Sequence, residues 1–358
     1  MSYKFSKNTV QGRVIIILLL ALAIFLLMQF ANHPHAVERY YSEGLYPAIC
    51  WVLHPVLNLF PFSVGDVLYI LVVGYLIFAL GRFIYLLFKG QFKRMGLLTL
   101  KFIIRLQIAI LVFYIFWGMN YYRPSAGERL NLRDTSYTTA HLITVTSMLI
   151  DSANISRRNL TATDTTQNNS AIFKTAINST RKISADSANF RTYSPKIKPS
   201  LLTPLMNYIG TSGYYNPFTT EAQLNYQMPY FERPMVACHE MAHQTGYGAE
   251  DEASFAGYLA ALNTTDRLQR YSAYHYAVDE CMHALRRRDT SAYKTLRKCI
   301  SPQVRHDFFT ERMYWFSFHG KAGMLSGMMY DDFLKANNQP KGMETYNQMV
   351  LLLMAWYK

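Results

Sequence analysis

His239 and His243 flank a glutamate in the pentapeptide His239-Glu240-Met241-Ala242-His243. On a helix this spacing stacks two imidazoles one turn apart on the same face. Two neutral imidazoles so placed can share a tetrahedral Zn²⁺, and Glu240, not itself a ligand, can take a proton from the water that the metal activates. The elements that must position these groups are legible nearby. Val236, Ala237, Met241 and Ala242 give the helix an apolar side, Pro234 stands where a helix starts, and Gly246 and Gly248 stand where one stops.

A catalytic zinc takes three protein ligands and keeps one position open. After the glycine turn, Glu250 to Leu262 reads as a second helix with acids in its first turn, where the helix dipole favours them. So short a connection makes the two helices antiparallel and returns the start of the second beside the histidines. Glu250 fits by pattern, since Glu-x-x-Ala-Ser is similar to the Glu-x-x-Ala-Asp/Asn signature of glutamate-type zincins, with Ser254 in place of the acid or amide. Glu252 fits by its level along the helix if the turn centres near Tyr247, so both acids stand as third-ligand candidates. The His-x-x-Gly-x-x-His alternative is excluded because Ala249 occupies the last position.

The run Ala237 to Tyr247, followed by Glu250-Asp251-Glu252-Ala253-Ser254-Phe255, resembles the DUF3810 family of bacterial membrane proteins, found mainly in Bacteroidetes. The stretches Gly210 to Ala222 and Tyr330 to Asn337 add to the resemblance, which covers nearly the whole chain; Ser254 departs from it, the family usually having Asn there. The resemblance implies a gluzincin-like zinc fold and no particular substrate.

Three apolar stretches are long enough to cross a bilayer: Val14 to about Phe30, about Val67 to Phe88, and about Phe102 to Met119, with Arg105 near enough to an end to snorkel. Lys4, Lys7 and Arg13 precede the first, and Lys89, Lys93, Arg94 and Lys101 lie between the second and third, whereas Ala31 to Asp66 holds only Arg39. This asymmetry predicts a cytoplasmic amino terminus in the inner membrane and a periplasmic, or otherwise extracytoplasmic, region after Asn120. Leu45 to Phe60, apolar but interrupted by Pro47 and Pro55, reads as an interfacial or re-entrant segment. A net charge of +13 permits anionic partners. The basic flanks of the spans account for much of it against the lipid bilayer, and no nucleic-acid motif is present.

In the outer region, Ser152 to Asn189 is rich in Ser, Thr and Asn and reads as a loop or weak helix. Ser212 to Phe218 and Glu221 to Tyr226 read as strand, turn and strand, a candidate edge for an extended peptide. Helices are expected over Thr265 to Arg288, Ser291 to Cys299 and Val304 to Trp315. Over Gly342 to Tyr357, Met343, Tyr346, Met349, Val350, Leu353 and Met354 are expected to form a core face. Tyr247, His275 and Tyr314 are candidates to stabilise a developing oxyanion. Cys281 and Cys299 lie where a bridge is chemically allowed.

The expectation is an α-helical membrane region with three transmembrane helices (residues 1–120), followed by a mainly α, α+β zincin-like domain of gluzincin type (residues 121–358). Its expected function is zinc-dependent hydrolysis of a peptide or protein substrate outside the membrane. The alternatives are a catalytically silent, membrane-tethered binding or assembly protein with a structural zinc, and a zinc amidase acting on cell-wall peptide.

Overall fold

A computed structural model describes residues 7–132, 136–343 and 348–358. Lys4 and Tyr346, both used in the sequence reading, lie outside the described residues. The fold is mainly helical, with one small sheet and three N-terminal helices long and apolar enough to cross a membrane: Val10–Ala31, Val64–Phe88 and Phe92–Phe116.

The first two spans fall where the apolar runs place them. The third is a correction: its helix begins at Phe92, ten residues earlier than expected, and Met119 lies in the short 3₁₀ turn Gly118–Tyr122. Lys93, Arg94 and Lys101 therefore ride on the span instead of forming a loop, and only residues 89–91 separate it from the second span. Arg105 consequently sits near mid-helix and does not snorkel at an end; its guanidinium bonds the Tyr75 hydroxyl on the second span.

The segment before the second span is helical and crosses nothing. A π-helical stretch, Val37–Leu45, leads into the helix Tyr46–Leu57. His54 and Cys50 point inward, whereas Trp51, Val52 and Val56 are exposed. This one-sided burial fits a helix lying at an interface and docked on the region after Asn120, where His54 Nδ1 is 2.5 Å from the Tyr193 carbonyl.

The joint between the spans and the region after Asn120 is polar and buried. Ser63 caps the second span by accepting from Asp66 N at 3.0 Å. Glu221 accepts from the free Gly65 amide of the same turn at 2.6 Å, where the helix dipole favours an anion. Lys198 Nζ lies 2.6 Å from Glu221 Oε1 and also donates to the Leu57 and Phe62 carbonyls. Asp66 accepts from Leu201 N and Ser200 Oγ. A second tie joins Arg123 to Glu38 at 2.6 Å.

The sheet has the order β1-β3-β2, with β1 (Ile197–Pro199) parallel to β3 (Glu221–Leu224) and β2 (Gly213–Asn216) antiparallel to it. Register pairs Gly213 with Leu224 and Asn216 with Glu221, so the expected strand, turn and strand form as a hairpin and β2 is an edge. Helices fill the rest: Thr139–Arg158, Asn169–Asp186, Arg267–Arg288, Thr290–Cys299, Pro302–Ser317, Lys321–Ala336 and Met349–Trp356.

The polar stretch read as loop or weak helix is in fact structural. Asn169–Asp186 buries Ile172, Phe173, Ala176 and Ile183 on one face, and Asn168 caps it. Its buried Ser179 donates to the Ala176 carbonyl and accepts from Gln269 Nε2 at 2.7 Å, so polar residues enter the core with their bonds made. In the last segment, Met349, Val350, Leu353 and Met354 are buried as expected, but Met343 is exposed and outside the core. All four cysteines are free; Cys281 is buried and Cys299 exposed, so no bridge joins them.

Candidate metal centre

The helix Arg233–Gln244 starts with Pro234 in its first turn and ends at Gly246, whose φ of +84° suits a residue without a side chain. The chain then turns back into Glu250–Leu262. What lets the two helices close is Gly257: a Cβ there would sit 2.8 Å from the backbone N and Cα of His239. Any side chain at this point would push Glu250 away from the histidines.

That closeness sets the geometry. Glu250 Oε2 lies 3.2 Å from His239 Nε2 and 3.6 Å from His243 Nε2. Its other oxygen accepts from the Tyr330 hydroxyl at 2.5 Å, and its amide donates to Gln339 Oε1. The ligating atoms of His239, Glu240 and His243 all lie within 4.8 Å of one another. A carboxylate oxygen of each acid thus stands beside the two imidazoles.

The ring nitrogens facing away from that point are also held. His243 Nδ1 is 2.6 Å from the Tyr247 carbonyl, and His239 Nδ1 is 3.1 Å from Ser254 Oγ, which in turn lies 3.1 Å from the Tyr276 hydroxyl. With Nε2 turned to a metal, each Nδ1 carries the proton and donates, which fixes tautomer and ring orientation. Ser254 therefore supplies the bond that an Asp or Asn would make, with a neutral acceptor. Trp117, at the end of the third span, donates its Nε1–H to the His243 carbonyl at 3.0 Å.

Glu252 points elsewhere. It accepts from Ala126 N at 2.6 Å and pairs with Arg129 at 3.0 Å, closing the short helix Ala126–Arg129 onto the helix Glu250–Leu262.

Burial raises the stakes of every charge here. Glu240 is pushed up to about 8 by burial, with Glu250 adding to the rise and His243 opposing it. Burial also acts against the charged forms of Glu250 and His243, but their mutual attraction wins. Glu250 is held well below the usual carboxylate range by His243 and His239, and His243 is pushed up to about 9 by Glu250 and Glu240. His239 is lowered, chiefly by burial. Glu250 and His243 thus form an opposed buried pair, with Glu240 and His239 beside them.

The donor set fits zinc. Two imidazoles and one carboxylate converge, each fixed by a further hydrogen bond, and a second carboxylate stands beside them.

The sequence-derived oxyanion candidates all lie elsewhere. Tyr247 is fully buried, its ring under the Arg129 guanidinium at 4.4 Å. His275 is stacked on Phe308 at 4.1 Å and pushed down to about 3 by burial. Tyr314 donates to Asn207 at 2.7 Å. None of the three lines the cavity over the metal residues, whereas Tyr330, Tyr276 and Tyr121 do. Tyr330 was visible beforehand only as part of the Tyr330 to Asn337 stretch that carries the family resemblance.

The family model described as protein of unknown function (DUF3810) matches residues 41–354. The chain belongs to the DUF3810 family. The matched region takes in the second and third spans, the sheet, both metal-site helices and the helix bearing Tyr330, so the centre and its joint to the spans are parts of one DUF3810 unit. No curated protein and no solved structure matches the chain.

Proposed function

We propose that this DUF3810 protein is a membrane-anchored zinc metallopeptidase of gluzincin type. His239, His243 and Glu250 would hold the metal and Glu240 would act as general base. The observation that carries the reading is Glu250 Oε2, placed within 3.6 Å of both histidine Nε2 atoms by an antiparallel helix, with Glu240 beside it. When bound, zinc supplies Lewis acidity toward a carbonyl and lowers the pKa of water toward about 7.

The chain's own residues do the rest. Glu240, beside both imidazoles, would take a proton from water and pass it to a leaving amine. Substrate geometry comes from β2, because a Cβ at Gly213 would lie 2.6 Å from Glu240 Oε1. An extended peptide added to the open edge of β2 would run its backbone past that carboxylate. Tyr330 positions Glu250 through a single hydrogen bond.

We infer from the basic flanks that the amino terminus is cytoplasmic and the centre lies on the outer, periplasmic side of the inner membrane. A reporter fused after Lys358 is then expected to behave as exported; activity confined to the cytoplasm would reverse the assignment.

The catalytic reading is tested by digesting a broad peptide library with the purified full-length chain. Glu240→Gln is expected to keep zinc and fold and to lose about 10²- to 10⁴-fold in hydrolysis. Wild-type rates from this variant would defeat the mechanism. A wild-type chain that binds zinc and cleaves nothing would favour the tethered binding protein, a reading supported by the position of Tyr247, His275 and Tyr314 away from the metal residues.

A further inference from the structure

The centre does not open onto a small-molecule cleft. It lies in a cavity of about 1330 Å³ whose lining is mostly apolar, above the ~300–1,000 Å³ usual for drug-sized ligands. Its walls come from the membrane region as well as the outer region. Tyr69 of the second span and Ala109, Ile110 and Phe113 of the third stand in the same cavity as His239, Glu240, His243 and Glu250. Ala109 lies seven residues before the end of its helix at Phe116, so the cavity reaches about 10 Å down the span at about 1.5 Å per residue.

Two further features point the same way. The second span is barely covered by protein, with Leu71, Ile77 and Phe78 exposed on different sides of the helix, while its Tyr69 lines the cavity. On the opposite wall, the helix Lys321–Ala336 contributes Gly323, Met324 and Gly327 to the cavity and exposes Leu325, Met328 and Met329 beside it. An apolar path along the cavity wall thus joins Ala109, Ile110 and Phe113 of the third span with His239, Glu240, His243 and Glu250. Water-soluble substrate would gain nothing from such a path.

We propose that the substrate is an amphiphile taken from the bilayer: a peptide bearing a long apolar group, whose amide reaches Glu240 while the apolar group lies between the second and third spans. The apolar group is an acyl chain or an apolar segment of the peptide itself. This rests on the peptidase reading for the reaction but not for the binding. Its kinetic benefit is local concentration, since a single acyl chain partitions a peptide onto membrane with a constant of about 10⁴ M⁻¹.

The test uses the full-length chain in phosphatidylethanolamine/phosphatidylglycerol liposomes and one peptide sequence in three forms: unmodified, N-acylated, and extended by an apolar segment. Cleavage of at least one apolar form is expected to exceed that of the unmodified peptide by about tenfold or more at equal bulk concentration, and the two apolar forms identify the source of the apolar group. Ala109→Trp, which fills the cavity from the span, and Gly327→Trp, where a Cβ meets nothing within 4 Å, are each expected to erase that advantage while zinc content is retained.

Binding is read separately in Glu240→Gln with each apolar form carrying a diazirine midway along its apolar group. Cross-links are expected at Tyr69, Ala109, Ile110 or Phe113 and should be lost in the two tryptophan variants. Cross-links confined to outward positions such as Leu71 and Ile77, or equal cleavage of all three peptides with no effect of Ala109→Trp, would overturn the proposal and leave the peptidase reading standing. Cavity cross-links without hydrolysis of any peptide would instead sustain the amphiphile site and defeat the peptidase reading.

Discussion

Buried charge is handled in two opposite ways in this molecule, at the joint between the apolar helices and the region after Asn120 and at the candidate metal centre. In the joint every acid has its own base or its own set of donors: Lys198 with Glu221, Arg123 with Glu38, Arg129 with Glu252, and Asp66 with Leu201 N and Ser200 Oγ. At the centre two buried carboxylates, Glu240 and Glu250, share two imidazoles, and neither pairs with Lys or Arg among the described residues. Burying an ion is tolerated only when it is paired or bound to a metal. The joint is therefore complete as protein, whereas at the centre a cation, as proposed, would add a partner for the two carboxylates.

The contrast is sharpened by breaking the joint first. Glu221→Ala strands the Lys198 ammonium, which is almost wholly buried, and is expected to cost about 3–5 kcal/mol in the unfolding of the detergent-solubilised chain. Replacing both partners together, Lys198→Met with Glu221→Leu, should cost much less, because no charge is left unpaired. A single variant as stable as wild type would mean that the charge pairing does not hold the joint.

A smaller effect is expected at the edge of the centre. Ser254→Ala removes the acceptor at His239 Nδ1 and should weaken zinc binding by about 10- to 100-fold with the fold intact, as measured by competition with a chelator. Unchanged affinity would show that the Tyr276 to Ser254 to His239 chain does not tune the ligand.

The same contrast explains what the sequence made legible. The helix pair is local: the His239 and His243 spacing, Pro234 and Gly246 all speak within a dozen residues, and so do the hairpin and the helices after the site. The choice between Glu250 and Glu252 is not local. Arg129 and Ala126, more than a hundred residues upstream, take Glu252, while Tyr330, eighty residues downstream, holds Glu250. Tyr247, His275 and Tyr314 were reasonable chemically, but among 27 tyrosines no spacing tells which hydroxyl faces a cavity assembled from distant segments. The early start of the third span was hidden by Lys93, Arg94 and Lys101, charges that suggest a loop yet are carried on the helix. The polar helix Asn169–Asp186 was hidden because its buried serine and threonine are satisfied by partners that composition cannot reveal.

The most direct test of the account is the zinc content of the purified full-length chain, measured alongside Glu250→Gln and Glu252→Gln. The wild type is expected to hold about one zinc per chain. Glu250→Gln should lose it, because the carboxylate within 3.6 Å of both histidine Nε2 atoms becomes a neutral amide, whereas Glu252→Gln should keep its zinc and lose stability through the unpaired Arg129. Loss of zinc from Glu252→Gln with retention in Glu250→Gln, or a wild-type chain that takes up no zinc, would contradict the account.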